Sequence, residues 1–337
     1  MYRLLLLLIL AFTLQTGACA TRSFKAIPVS LNDNVDVGDH YSGIRLLGAL
    51  QLPDMDLDGQ RLCGLSGLAW DENAGLLYAI SDKGILFHFR PQFDANHRLM
   101  DLQHVAAYPL RDKSGQPLRP PYTDAEGLVL LPGKQQKDTQ LLVSFEIRPR
   151  LVRYSSAGRW RGNYPLPKRL YNRRSYRNSN KALESVTVDS RWGVLVGSEA
   201  PLRKQPNDQI QLFTSKGRFW RYPLGGAPGS SLVAMESLSA GMLLTLERAY
   251  TAPLRPLIIS LRQTELPMPN AKKVLKVKDI AIFDSSKGWL MDNFEGLAHH
   301  RSQRFFMVSD NNCSVWQTTL LLYFELNNDR PQSAISR

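Results

Sequence analysis

Cysteine is scarce, with three residues in a chain of 337. That is too few for a disulfide-dense small fold or a four-cysteine zinc site. Long apolar runs are missing too. The run Leu4–Leu14 spans eleven residues, short of the roughly twenty that cross a bilayer core, so a multi-span membrane protein is excluded. No phosphate-cradling G-x-x-x-x-G-K loop or dinucleotide fingerprint occurs. Gly64-Leu65-Ser66-Gly67-Leu68 lacks the final glycine of a nucleophile elbow, and no helix follows it. No long amphipathic helix can be read anywhere. Acidic residues are absent between Arg159 and Lys181, where eight basic residues fall.

The remaining composition is that of a globular chain, 43% hydrophobic and 21% charged. The length suits two domains or one closed all-β unit. Glycine and proline are scattered without a period and mark turns. The net charge of +12 is concentrated in the 159–181 stretch. Such a stretch is either a solvated loop or a patch for nucleic acid, anionic headgroups or phosphorylated small molecules.

Residues 1–20 read as a secretory signal: an early Arg3, an apolar run, then small residues. Two cleavage patterns overlap. Ala18-Cys19-Ala20 suits ordinary cleavage after Ala20, and Thr16-Gly17-Ala18-Cys19 suits a lipobox with lipidation of Cys19. The lipoprotein reading is preferred, because a cysteine directly after Gly-Ala is otherwise unexpected. Residues 21–43 are polar without a sustained period and read as a tether, and residues 328–337 as a polar tail. Export implies an oxidising compartment, the periplasm or outer membrane of a Gram-negative bacterium. There Cys63 and Cys313 form either a bridge or two buried thiols. Export also argues against a nucleic-acid partner. Membrane contact is expected only through the lipid anchor, and the protein is expected as a monomer.

A pattern recurs five times between residues 65 and 310. A short apolar strand opens with an acidic or small polar residue and Gly or Ser. A turn and a second apolar strand ending in an acidic residue follow. The openings are Ser66, Glu126, Glu184, Glu236 and Glu295, and the endings are Asp82, Glu146, Glu199, Glu247 and Asp310. Third and fourth strands follow in most repeats. Four short strands at a period of 52–60 residues are the pattern of a β-propeller. Five blades follow, and the long repeats leave room for a sixth. The last repeat lacks its fourth strand after Leu326, and the orphan strand Ile44–Leu50 is placed there to close the ring. Lys273, Lys276 and Lys278 fit an outer edge strand.

First strands line a propeller's axis, so the repeated carboxylates converge at one mouth of a central channel. Arg148, Arg248 and Lys83 follow the second set closely and are the candidate compensating charges. Two readings of the carboxylates stand. They clamp neighbouring blades through backbone amides, or they hold a hard divalent cation. His299-His300 lies in a strand, so its rings point to opposite faces and do not make a metal pair.

The run Asp292-Asn293-Phe294-Glu295-Gly296-Leu297-Ala298, with Val308-Ser309-Asp310-Asn311-Asn312 and Gln317-Thr318-Thr319, resembles the family named for an esterase-like activity of phytase. So do Gly64–Leu68, Asp124–Leu128, Ser144-Phe145-Glu146 with Pro149, and Leu246-Glu247-Arg248. The resemblance covers residues 44–326. Cys313 departs from it, standing where phenylalanine is common, as does Arg148, where a small residue is usual. The resemblance implies a propeller over residues 44–327 and hydrolysis of phosphate or carboxylate esters. In that reading Glu126, Glu184 and Glu295 are the candidate catalytic groups. Arg148, Arg248 and Ser66 bind a small anionic substrate. Asp82, Glu146, Glu199 and Asp310 hold a divalent cation, calcium rather than magnesium. The alternative is a non-catalytic propeller that binds an envelope ligand or protein at the same mouth.

Overall fold

The computed structural model describes residues 24–131, 140–268 and 274–327. Cys19, Lys273, the signal segment and the tail 328–337 lie outside the described residues. The chain opens with the short strands β1 (Ile27–Pro28) and β2 (His40–Tyr41), which flank β3 (Ile44–Leu52). A small hairpin, β4 (Asp56–Leu57) and β5 (Gln60–Arg61), follows.

Blade one comprises β6 (Leu65–Asp71), β7 (Leu76–Ser81), β8 (Ile85–Phe93) and β9 (Leu99–Pro109). Blade two comprises β10 (Ala125–Leu131), β11 (Gln140–Phe145), β12 (Arg150–Tyr154) and β13 (Trp160–Tyr164). The short helix α1 (Lys168–Tyr171) leads to blade three, with β14 (Leu183–Asp189), β15 (Gly193–Ser198), β16 (Gln209–Thr214) and β17 (Phe219–Pro223). Blade four has β18 (Ser230–Ser239), β19 (Met242–Ala249), β20 (Ile258–Glu265) and β21 (Lys276–Asp284). Blade five has β22 (Asn293–His299), β23 (Arg304–Asp310) and β24 (Thr319–Leu326). Each blade is an antiparallel meander, and β3 pairs antiparallel with β24 to supply the missing fourth strand. This is a five-bladed propeller closed by the N-terminal strand, as the repeat pattern predicts.

Both faces of each sheet are buried between blades, so the strands read as continuous apolar runs. In β11, Leu141, Val143 and Phe145 join the core shared with blade one, whereas Leu142 joins the core shared with blade three. That division follows from the two-residue alternation of a strand. Tyr154, Phe87, Phe145, Phe294 and Phe324 are the large fully buried rings that fill the wedges.

The inner strands β6, β10, β14, β18 and β22 pack directly on one another around the axis. Glycine permits this. A Cβ on Gly67 would lie 2.6 Å from the Glu126 carbonyl, and one on Gly127 would lie 2.7 Å from the Glu184 carbonyl. The void along the axis is about 10 Å³, about the least that holds one water. The central channel read from the sequence is therefore filled, and the carboxylates sit on a rim rather than in a pore.

Residues 24–43 also depart from the tether reading. Ala26 and Leu31 are buried. The Val29 amide donates to the Ala49 carbonyl, and the Leu290 amide donates to the Leu31 carbonyl. The segment thus binds the outer edge of blade five. Its apolar residues are spaced too irregularly to show a period. Cys63 and Cys313 form a disulfide between blades one and five, with Cα atoms 5.0 Å apart. The Gly64 amide donates to Asn311 Oδ1 at 3.0 Å beside it.

Candidate active site

Each blade sends two side chains to the rim. The first comes from a β-bulge near the start of the inner strand. Register shifts fall between Leu65 and Gly67, Ala125 and Leu128, Leu183 and Ser185, Leu232 and Ala234, and Phe294 and Gly296. A bulge opposes two residues to one and re-aims a side chain. The residues it selects are Ser66, Glu126, Glu184, Val233 and Glu295. The second is the residue after the ladder partner of the residue that precedes the bulge: Asp82, Glu146, Glu199, Arg248 and Asp310.

Blade four is thus the exception. Glu236 lies three residues beyond the bulge position and points elsewhere. It accepts from the Ser237 amide at 3.0 Å and faces Thr187 Oγ1 at 3.5 Å. Burial pushes its carboxyl up to about 7. Glu247 pairs with Leu232 in the ladder and turns into the blade. There it meets Arg262 at 2.5 Å, the Tyr222 hydroxyl at 2.5 Å and the Gly225 amide at 2.8 Å. The repeat reading of Met235-Glu236-Ser237 is out of register by three residues, because the sequence does not mark where a bulge falls.

The rim carries eight carboxylates, with Asp124 beside the seven from the repeat. Among the described residues Lys83, Lys181 and Arg248 face them, and Arg150 acts on Asp124. Asp82 pairs with Lys83 at 2.6 Å. Glu199 receives Lys181 and Arg248, both at 2.9 Å. Glu295 lies 3.5 Å from Arg248 and accepts from Asn293 Nδ2 at 2.9 Å. Asp310 accepts from the Asn312 amide at 2.6 Å, Glu146 from the Ala182 amide at 2.7 Å, and Asp124 from the Ile147 amide at 3.0 Å. Inter-blade clamping through amides therefore accounts for Glu146.

Glu126 and Glu184 are different. They are 8% and 5% exposed, and neither carboxylate accepts a hydrogen bond from any described residue. Glu126, Glu184 and Glu295 each offer an oxygen within 4.8 Å of the others, and Glu146 reaches the same spacing with Glu184 and Glu199 and with Asp124 and Glu126. Burial first, then the neighbouring carboxylates, pushes Glu126 and Glu184 well above the usual carboxylate range. Burial pushes Glu146 and Glu295 up to about 8 and Asp310 to about 7. Burial opposes the charge on Arg248, but Glu295 and Glu199 outweigh it and hold the guanidinium above its ordinary value.

The anion-binding expectations fare differently. Arg248 is a member of the rim, but its guanidinium is occupied by Glu199, Glu295 and Asn293 Oδ1. Arg148 is exposed and lies over the Tyr122 ring at 5.8 Å. Ser66 is buried and donates to the Gly64 carbonyl at 3.2 Å, with no base on its hydroxyl. Asp82 and Asp310 belong to none of the close carboxylate groups among the described residues. Asp124 joins the rim without belonging to the repeat. Its signal was the acidic residue two before Glu126 in Asp124-Ala125-Glu126. His299 and His300 bond to the Ser302 carbonyl and the Tyr323 hydroxyl, and form no metal pair.

A close group of carboxylates in which Glu126 and Glu184 accept no hydrogen bond from a described residue suits a hard cation, which supplies the missing positive charge. The spacing, the all-oxygen chemistry and the absent donors at Glu126 and Glu184 fit that group.

No curated protein matches the chain. Among solved structures, the β-propeller domain of Myceliophteria thermophila Cps50 (Swd1) is similar at 12% identity, over 89% of this chain and 98% of that one, with a TM-score of 0.35. The propeller assignment rests on the strand pairing described above. A model of the phytase-like family, described as esterase-like activity of phytase, matches residues 60–313. With that match over most of its length, the chain belongs to the phytase-like family.

Proposed function

We propose that this protein is an exported hydrolase of phosphate or carboxylate esters that uses a divalent cation, calcium rather than magnesium, at the acidic rim. The observation that carries this reading is the pair Glu126 and Glu184, buried and without a hydrogen-bond donor among the described residues. Their carboxylates, with that of Glu295, would hold the cation. Bound there, the ion would neutralise ester oxygens and lower the pKa of water. The protein's own groups divide the remaining work. Glu146, fixed through Oε1 by the Ala182 amide, offers its other oxygen as the proton acceptor. Arg248 is a positioning residue that keeps Glu199 and Glu295 in place. Arg148, exposed beside Tyr122, would attract the anionic substrate.

The Cys63–Cys313 disulfide supports an oxidising compartment. With the signal segment, it favours the periplasm or outer membrane of a Gram-negative bacterium, with lipidation at Cys19 and a monomeric propeller. The test is hydrolysis of a panel of phosphate and carboxylate esters by residues 21–337 with calcium, magnesium or chelator. Turnover that needs the cation and disappears in Glu126→Gln supports the reading. Turnover that survives chelation sinks it.

A second reading, a non-catalytic propeller binding an envelope ligand or protein, is favoured by the Ser66 hydroxyl. It bonds to a carbonyl rather than to a base, so Ser66 is not half of a nucleophile–base pair. Cation binding with no turnover on any ester would favour it.

A further inference from the structure

Away from the carboxylates, blade two carries a cavity of about 760 Å³, within the range that holds small organic ligands. Alternation along β12 places Arg150, Val152 and Tyr154 on one face, and Trp160 of β13 pairs with Tyr154. The connection from blade one to blade two, residues 110–124, passes over that face and adds Leu118, Arg119 and Tyr122. The floor is apolar and aromatic. Tyr122 is 50% exposed and Trp160 39% exposed, so both rings offer surface to a ligand, the Tyr122 ring with the Arg148 and Arg150 guanidiniums 5.8 and 5.7 Å from its centre.

Basic residues outnumber acidic ones in the lining of this cavity. Lys113, Arg119 and Arg150 line it, and none of them pairs with a carboxylate among the described residues. The one acidic lining residue, Asp112, is held by its own turn, accepting from the Ser114 hydroxyl at 2.6 Å and the Gln116 amide at 3.0 Å. Arg150 lies 3.6 Å above the Phe145 ring, donates to the Arg148 carbonyl at 3.0 Å and to the Tyr122 carbonyl, and feels the Asp124 carboxylate. Burial pushes its guanidinium down to about 10. Lys113 and Arg119, exposed and unpaired with any carboxylate among the described residues, stand with the half-buried Arg150 around one cavity, an arrangement that suits an anion arriving from outside, and Tyr and Trp faces favour a planar ring.

We infer that this groove is a binding site for a small anion carrying an aromatic ring, an aryl phosphate, phosphonate or carboxylate. Binding here does not require that the rim be catalytic. The anionic group meets Arg119 and Arg150 while the ring lies against Tyr122 and Trp160.

The experiment is calorimetric titration of the protein, residues 21–337, with 1-naphthylmethylphosphonate, which has no ester bond to cleave. Parallel titrations use 1-naphthalenemethanol and inorganic phosphate. Saturable binding of the phosphonate is expected, with both controls weaker by roughly tenfold or more. Trp160→Ala and Arg119→Gln alter exposed side chains, and each is expected to weaken the phosphonate by roughly fivefold to tenfold. Added salt should weaken the wild type more than Arg119→Gln. Absence of saturable binding overturns the proposal. So does binding that both variants leave unchanged, or binding that Glu126→Gln abolishes while the groove variants retain it, since the probe would then sit at the rim.

Discussion

Arg248 of blade four lies 2.9 Å from Glu199 of blade three, and the same guanidinium reaches 3.5 Å from Glu295 of blade five. One arginine thus ties three consecutive blades at the rim. It does so from the position that carries an acidic residue in the other four. The ion pairs are mostly buried, with Glu199 4% and Arg248 19% exposed. Removing one partner of such a pair leaves an uncompensated buried charge. Arg248→Met is therefore expected to lower stability by about 3 kcal/mol, read as a lower urea midpoint. A loss within error of wild type would contradict this arrangement.

The rim carboxylates set a pH dependence. Glu146 and Glu295 are raised to about 8 and Asp310 to about 7, against roughly 4 in the unfolded chain. Over the interval between these values the unfolded chain has lost protons that the folded one retains. Stability therefore falls as pH rises. The melting temperature of chelator-treated protein should drop from pH 5 to pH 8, and calcium should restore most of the loss at pH 8. A flat or rising profile without the cation would count against it.

The disulfide between Cys63 and Cys313 closes a separation of 250 residues across the blade one–blade five junction. Reduction, or Cys63→Ser with Cys313→Ser, should lower stability by on the order of 4 kcal/mol. The check is denaturant unfolding with and without reductant. An unchanged midpoint would mean that β3 and the inner-strand contacts close the ring unaided.

Close packing at the axis gives a contrast between two glycines. A Cβ at Gly67 would sit 2.6 Å from the Glu126 carbonyl and 2.9 Å from the Leu128 amide nitrogen, whereas nothing lies within 4 Å of one at Gly226. Gly67→Ala should cost about 2 kcal/mol or more through overpacking, and Gly226→Ala should be close to neutral. Similar melting temperatures for the two would show that the axis yields easily.

How far the sequence shows this site depends on what each feature leaves in a one-dimensional pattern. Blade number, ring closure by β3 and the rim positions of Glu126, Glu184 and Glu295 are legible, because apolar runs and Glu-Gly or Glu-Ser pairs recur at a steady period. Glu236 misleads for the same reason. Met235-Glu236-Ser237 imitates the pair, while the bulge that decides which side chain reaches the rim falls at Val233 and has no sequence mark. Arg248 reads as an adjacent counter-charge, although it occupies the repeat position itself, one residue after Glu247. The filling of the axis depends on backbone approach at Gly67 and Gly127, which a glycine alone does not distinguish from a turn. The groove on blade two joins β12 to an irregular connection, and such a connection carries no period to read.

On the proposed function, Glu126 and Glu184 hold a cation rather than clamp two blades. The most direct test is calcium titration of the metal-free protein by calorimetry, with melting temperatures, for wild type and for Glu126→Gln with Glu184→Gln. Saturable binding is expected in wild type and none in the double variant. A metal-free melting temperature in the variant equal to or above wild type is also expected, because a buried like-charge repulsion is removed. Calcium binding that persists in the variant, or a variant that melts well below wild type, would contradict this role.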